Sequence, residues 1–152
     1  MISLILDNIR SVYNVGSIFR TADAAGVSKI YLVGVTPTPT DRFGRERKDL
    51  AKVALGAEKT ISWEHVEDVL EVIERLKKER VHIVAVEQSP NSVSLYDFKP
   101  AEKVVYVFGS ETEGLSADVL EACDEVVEIP MQGEKESLNV SVVAGVILFH
   151  PH

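Results

Sequence analysis

Along the chain, short β-rich apolar runs alternate with stretches in which apolar residues recur every three or four positions. "SLILDN" (3–8) reads as a strand, "NVGSIFRTADAAGV" (14–27) as a helix closed by Gly26, and "KIYLVG" (29–34) as a second strand. A helix near "KDLAKVAL" (48–55) and a weak strand at "KTISW" (59–63) continue the pattern. The amphipathic "VEDVLEVIERLKKE" (66–79) is a further helix, and "VHIVAVE" (81–87) and "KVVYVFG" (103–109) are buried strands. "ADVLEACD" (117–124) is a helix, "EVVEIP" (125–130) a strand and "LNVSVVAGVILF" (138–149) a final helix. Such alternation predicts an α/β fold, a mostly parallel sheet flanked by helices. With no internal repeat or linker, residues 1–152 read as one domain, and the Pro/Thr cluster "TPTPTDRFG" (36–44) as a loop within it. Ligands of such sheets gather beyond the carboxyl ends of the strands, which directs attention to the loops after Glu87, Phe108 and Ile129.

The first helix poses a question. At 100° per residue Val15, Ile18, Phe19, Ala22 and Ala25 form its core stripe, and Arg20 points away from them. Its outward neighbours are Gly16, Ser17 and Ala24, where a solvated face would carry Lys and Glu. Close approach of another body is expected there. The final helix is apolar on nearly every side and must be buried.

Composition narrows the function. Sixteen basic against 24 acidic residues, a formal charge of −8, argue against coating nucleic acid through the whole surface. A local basic excess survives in "DRFGRERKDLAK" (41–52), read either as a solvated face or as a polyanion contact. A single cysteine, Cys123, suits a reducing cytosol and excludes an intrachain disulfide; it sits where a small apolar residue would. His65, His82, His150 and His152 lack metal-ligand spacing, so no metal is expected. The apolar start is too short for a signal peptide, and "VSVVAGVILF" is too short for a membrane span.

The strand-end loops are more specific. "GSETEG" (109–114) is not a phosphate loop, because Leu115 follows its last glycine and Glu111 and Glu113 would repel an anion. It is either a solvated turn or a seat for an uncharged or cationic ligand. In "PMQGEKESLN" (130–139), Ser137 and Asn139 can cap the final helix or leave its N–H groups to a ligand. "VEQSPNSV" (86–93) shows only turn chemistry.

Taken in order, "NVGSIFRTADAAGV", "VFGSETEGLS" and "IPMQGEKESLNVSVVAGV" resemble the three motifs of the SpoU (TrmH-like) family of the SPOUT superfamily, S-adenosylmethionine-dependent RNA ribose 2′-O-methyltransferases. The resemblance covers essentially the whole chain, as a catalytic domain without the additional RNA-binding domain of many relatives. It implies a C-terminal deep trefoil knot, a cytoplasmic homodimer with its active site at the subunit interface, and an RNA substrate, tRNA before rRNA. Asn14, Arg20, Glu111 and Asn139 match the motif positions for catalysis. Val86, Phe108, Gly109, Ile129, Met131, Ser137 and Leu138 match those that hold S-adenosylmethionine. Arg20, which the family uses to activate the 2′-hydroxyl, is a poor proton acceptor and reads better as an electrostatic clamp, with Asn14 orienting it or the ribose. Two dimer-related "DRFGRERKDLAK" segments would supply the positive surface for RNA. Two other readings stand beside this one: a non-catalytic RNA-binding or assembly protein with the same fold, and a methyltransferase acting on a base nitrogen.

Overall fold

The computed structural model describes residues 1–151; His152 lies outside the described residues. Seven strands, β1 (Ile2–Asp7), β2 (Lys29–Val33), β3 (Ser62–Val66), β4 (His82–Val86), β5 (Val93–Ser94), β6 (Val104–Phe108) and β7 (Glu125–Glu128), form one sheet in the order β3-β2-β1-β6-β4-β7-β5. Every pairing is parallel. Alternate residues of the central strands feed two cores. Leu4, Leu6, Val84, Val86, Tyr106 and Phe108 face the layer of α1 (Val12–Ala24), α2 (Lys48–Ala54), α3 (Ala57–Thr60) and α6 (Val140–Phe149). Ile5, Ile83, Ala85, Val105 and Val107 face α4 (Val69–Lys78) and α5 (Ala117–Ala122). Burial on both faces explains why these strands read as unbroken apolar runs.

Local chemistry sets the helix ends. Ser11 Oγ accepts from the Asn14 N–H at 3.1 Å to start α1, and Gly26, at φ +79°, turns the chain into β2. Asp68 and Ser116 cap α4 and α5 in the same way. The predicted strand at 59–63 is displaced: Lys59 and Thr60 belong to α3 and the strand is Ser62–Val66. The edge position of β3 leaves it half-exposed, which blurs the apolar signal.

The small outward face of α1 has an intrachain explanation in part. Gly16 is buried against α2, where an added Cβ would lie 2.9 Å from Val53 Cβ and 3.0 Å from the Leu50 carbonyl oxygen. Gly16 therefore serves the α1–α2 contact and not another molecule. Gly16→Val is expected to cost about 1–3 kcal/mol through overpacking, read as a lower Tm in thermal unfolding; an unchanged Tm would mean that α2 yields freely. The final helix is only half covered by its own chain. Val140, Ala144 and Ile147 are buried, whereas Val142, Val146 and Phe149 are exposed.

Asp7 ends β1 with its carboxyl partly buried, and burial first, then the nearby Asp68 charge, raises its pKa above the ordinary value. A carboxyl raised in the fold favours folding only while protonated, so its contribution is lost as pH rises through the folded pKa. Asp7→Asn should accordingly raise Tm at neutral pH, with the gain disappearing below about pH 4. A gain that persisted in acid would have another origin.

Candidate active site

The strand order brings the three loops together. With β4 between β6 and β7, and Val86 in register with both Phe108 and Val127, the segments after all three strands leave one edge of the sheet side by side. Between them lies a cavity of about 690 Å³, a size typical of small-molecule sites. Val86, Phe108, Gly109, Ile129, Met131, Ser137 and Leu138 all line it, as do Glu111 and Asn139. Among the described residues no Lys, Arg or His does.

The loop after β6 is held closed by its own backbone. The Gly114 N–H donates to the Ser110 carbonyl at 2.8 Å and the Glu113 N–H to Ser110 Oγ at 3.0 Å. Gly109 faces the returning strand of the loop so closely that a Cβ there would lie 2.7 Å from the Gly114 carbonyl carbon. Gly114, at φ +66°, leaves room for Glu87, whose carboxylate accepts from the Leu115 N–H at 3.0 Å. Glu87 and Gln88 lie in a loop to which the fold class directs attention, although the sequence singles out neither side chain. Gln88 Nε2 donates to the Glu136 carbonyl at 2.6 Å, so the apparently plain loop after β4 ties together the other two. A carboxylate and an amide directly after a buried parallel strand were the available signal.

The four catalytic candidates separate. Asn14 is buried and its Nδ2 donates to Glu111 Oε1, joining the start of α1 to the cavity loop. Its amide is thereby engaged with Glu111. Asn139 is the N-cap of α6, its Oδ1 accepting from the Ser141 N–H at 2.9 Å and the Ser141 hydroxyl at 2.6 Å. Ser137 is exposed and makes no cap bond, so only one of the two capping candidates caps. Arg20 is exposed, forms no ion pair among the described residues, and does not line the cavity of its own chain. Six residues beyond Asn14, it stands about 9 Å along the helix and a third of a turn round from it.

Cys123 lies past the end of α5, and burial pushes its thiol up to about 12, which leaves it protonated and unreactive. Among the described residues no helix is long and apolar enough to cross a membrane.

Comparison with known proteins follows this geometry. The model of the SpoU rRNA Methylase family matches residues 1–149. The 23S rRNA (guanosine-2′-O-)-methyltransferase RlmB of Escherichia coli (strain K12) is 35% identical over 146 residues, 96% of this chain and 57% of that protein. The chain thus spans little more than half the length of that curated relative. The AdoMet-bound rRNA methyltransferase of Sinorhizobium meliloti is 31% identical with a TM-score of 0.83, covering 97% of this chain and 54% of that one. A structure concerned with the 2-OH methylation of C/U34 on tRNA is 25% identical with a TM-score of 0.81, covering 98% and 92%.

Proposed function

The chain belongs to the SpoU rRNA methylase family, and on that premise we propose that it transfers a methyl group from S-adenosylmethionine to a ribose 2′-hydroxyl of RNA. The observation that carries the reading is the cavity itself, built from three strand-end loops and lined by apolar, neutral polar and acidic residues, with no basic residue among the described ones. That lining suits an adenosine without phosphate. Glu87, Glu111, Glu113 and Glu128 give a sulfonium and an ammonium a favourable field, which an anionic nucleotide would not meet. Phe108, Ile129, Met131 and Leu138 supply apolar contact for the adenine, and the loop backbone at Gly109 and Ser137 its polar contacts. When bound, the donor supplies an electrophilic methyl on a positively charged sulfur.

What the chain must add is position and charge. The 2′-oxygen attacks the methyl carbon in line as the carbon–sulfur bond breaks, the bonding pair stays on sulfur, and the hydroxyl proton leaves to phosphate or water. Holding the two reactants in line supplies much of the acceleration. The Asn14–Glu111 pair fixes the loop under the reacting centre, and Asn139 fixes the start of α6. Arg20 clamps the RNA phosphate and the developing oxyanion. Since it lies outside its own cavity, it performs this in a homodimer, at the partner's site. The exposed apolar residues Val142, Val146 and Phe149 of α6, with Tyr13 of α1, support such an interface. Sedimentation showing only a 16.8 kDa monomer at micromolar concentration would overturn the dimer. A deep trefoil knot formed by the C-terminal segment, as the family implies, is part of the same proposal.

Within RNA, tRNA is the proposed substrate, supported by the relative concerned with C/U34 of tRNA. The 35% identity to an enzyme named for guanosine of 23S rRNA favours rRNA as the second reading. Incubation with donor and chelator, then nucleoside mass spectrometry on separated tRNA and rRNA, tests both. A 2′-O-methyl nucleoside is expected. A base-methylated product, or none, would overturn the assignment.

A further inference from the structure

The segment between β2 and α2 does more than carry charge. Residues 40–46 form a closed hairpin, bridged antiparallel at Thr40 and Glu46, with the Asp41 N–H donating to the Arg45 carbonyl at 2.8 Å. Asp41 Oδ1 accepts from the Phe43 and Arg45 N–H groups at 2.8 and 2.9 Å, and Gly44 makes the turn at φ +78°. This rigid tip holds Phe43 out at 66% exposure. The guanidinium groups of Arg42 and Arg45 each lie over its ring, 4.9 Å from the centroid. Arg45 shares its charge with Asp41, and Glu46 faces Lys59, but Arg42 has no acid partner among the described residues. A large exposed ring is ordinarily avoided on a surface. Here it is presented on a braced turn with two planar cations beside it.

We propose that the Arg42–Phe43–Arg45 tip is a stacking platform for an unpaired RNA base, selecting loop or single-stranded nucleotides over duplex. A flat base extends the stack on the ring or on a guanidinium plane, while the guanidinium charge meets the adjoining phosphate. Bases in a duplex have no free face to offer. The tip belongs to the segment that follows β2, whose carboxyl end lies on the same edge of the sheet as the cavity and two strands from β6. A braced loop also gives up little entropy on binding.

The inference rests on the RNA reading above, and its test separates the two. Fluorescence anisotropy would compare a labelled RNA stem-loop with a blunt RNA duplex of equal phosphate number, while methyl transfer to total RNA is followed on the same preparation. Wild type should prefer the stem-loop. Phe43→Ala should weaken stem-loop binding about 5- to 150-fold, the value of one base–aromatic stack, and leave duplex binding unchanged. Phe43→Trp should restore it. Arg42→Gln should weaken both RNAs and lower the salt slope by about one. No stem-loop preference in wild type, an equal loss on both RNAs, or a changed dimer mass in Phe43→Ala would overturn the platform, the last making Phe43 a protein contact. Methylation with Phe43→Ala binding unchanged would remove the platform alone. The expected binding pattern without methylation would remove the enzyme reading alone.

Discussion

Turnover of Arg20→Ala is expected to fall by about 10²–10³, the usual cost of removing one preorganised donor to a developing oxyanion, with S-adenosylmethionine affinity nearly unchanged. The second half of that expectation comes from the geometry, because Arg20 is not among the residues that line the cavity. Nor is it engaged elsewhere. An exposed guanidinium without an ion-pair partner among the described residues keeps its charge available for an incoming phosphate. Arg20→Lys should recover little, since a point charge on a flexible stem does not reproduce a planar fork. If Arg20 serves only to join two subunits, Arg20→Ala would weaken dimerisation and leave activity per dimer intact. Methyl transfer, donor binding and dimer mass measured on one preparation decide between them.

The fold was legible in the sequence wherever burial on both faces made a strand continuous, as in β4 and β6, or where a cap marked a helix start, as Asn139 does for α6. Legibility failed at the edge. The β3 strand is half-exposed, the two-residue β5 has no periodicity to show, and the short α3 is set by the turn at Leu55 and Gly56, both at positive φ. Strand order is not written in local pattern at all. That β4 lies between β6 and β7 is what turns three separate loops into one cavity. The site residues came from motif resemblance, which named side chains at fixed spacing but not their contacts. The resemblance gives Asn14 the role of orienting Arg20 or the ribose, and nothing in the local pattern shows that its amide reaches Glu111 across 97 residues of sequence. The tying role of Glu87 and Gln88 is not legible, because their partners are backbone groups of distant loops. Gly16 reads as facing an external contact because a small residue records close approach without recording by what, and here the approaching body is α2.

Gly109→Ala is expected to abolish donor binding at concentrations that saturate wild type. The new Cβ would press on backbone, 2.7 Å from the Gly114 carbonyl carbon and 2.8 Å from the Leu115 nitrogen, so the loop must open. Displacing a binding or catalytic group by about 1 Å can cost 10² or more. Leu115, whose N–H is held by Glu87, would be pulled with it. Calorimetry on the dimeric variant reads the loss directly, and near-normal affinity would show that the loop yields without disturbing the cavity. The same variant then tests which chain supplies Arg20. Mixed with Arg20→Ala and allowed to exchange subunits, a two-fold dimer acting in trans forms one complete site per heterodimer, an intact cavity from one chain and Arg20 from the other. Activity should return to about a quarter of the wild-type level at equal mixing. If Arg20 acts on the cavity of its own chain, every site in every mixed dimer is defective and the mixture stays inactive.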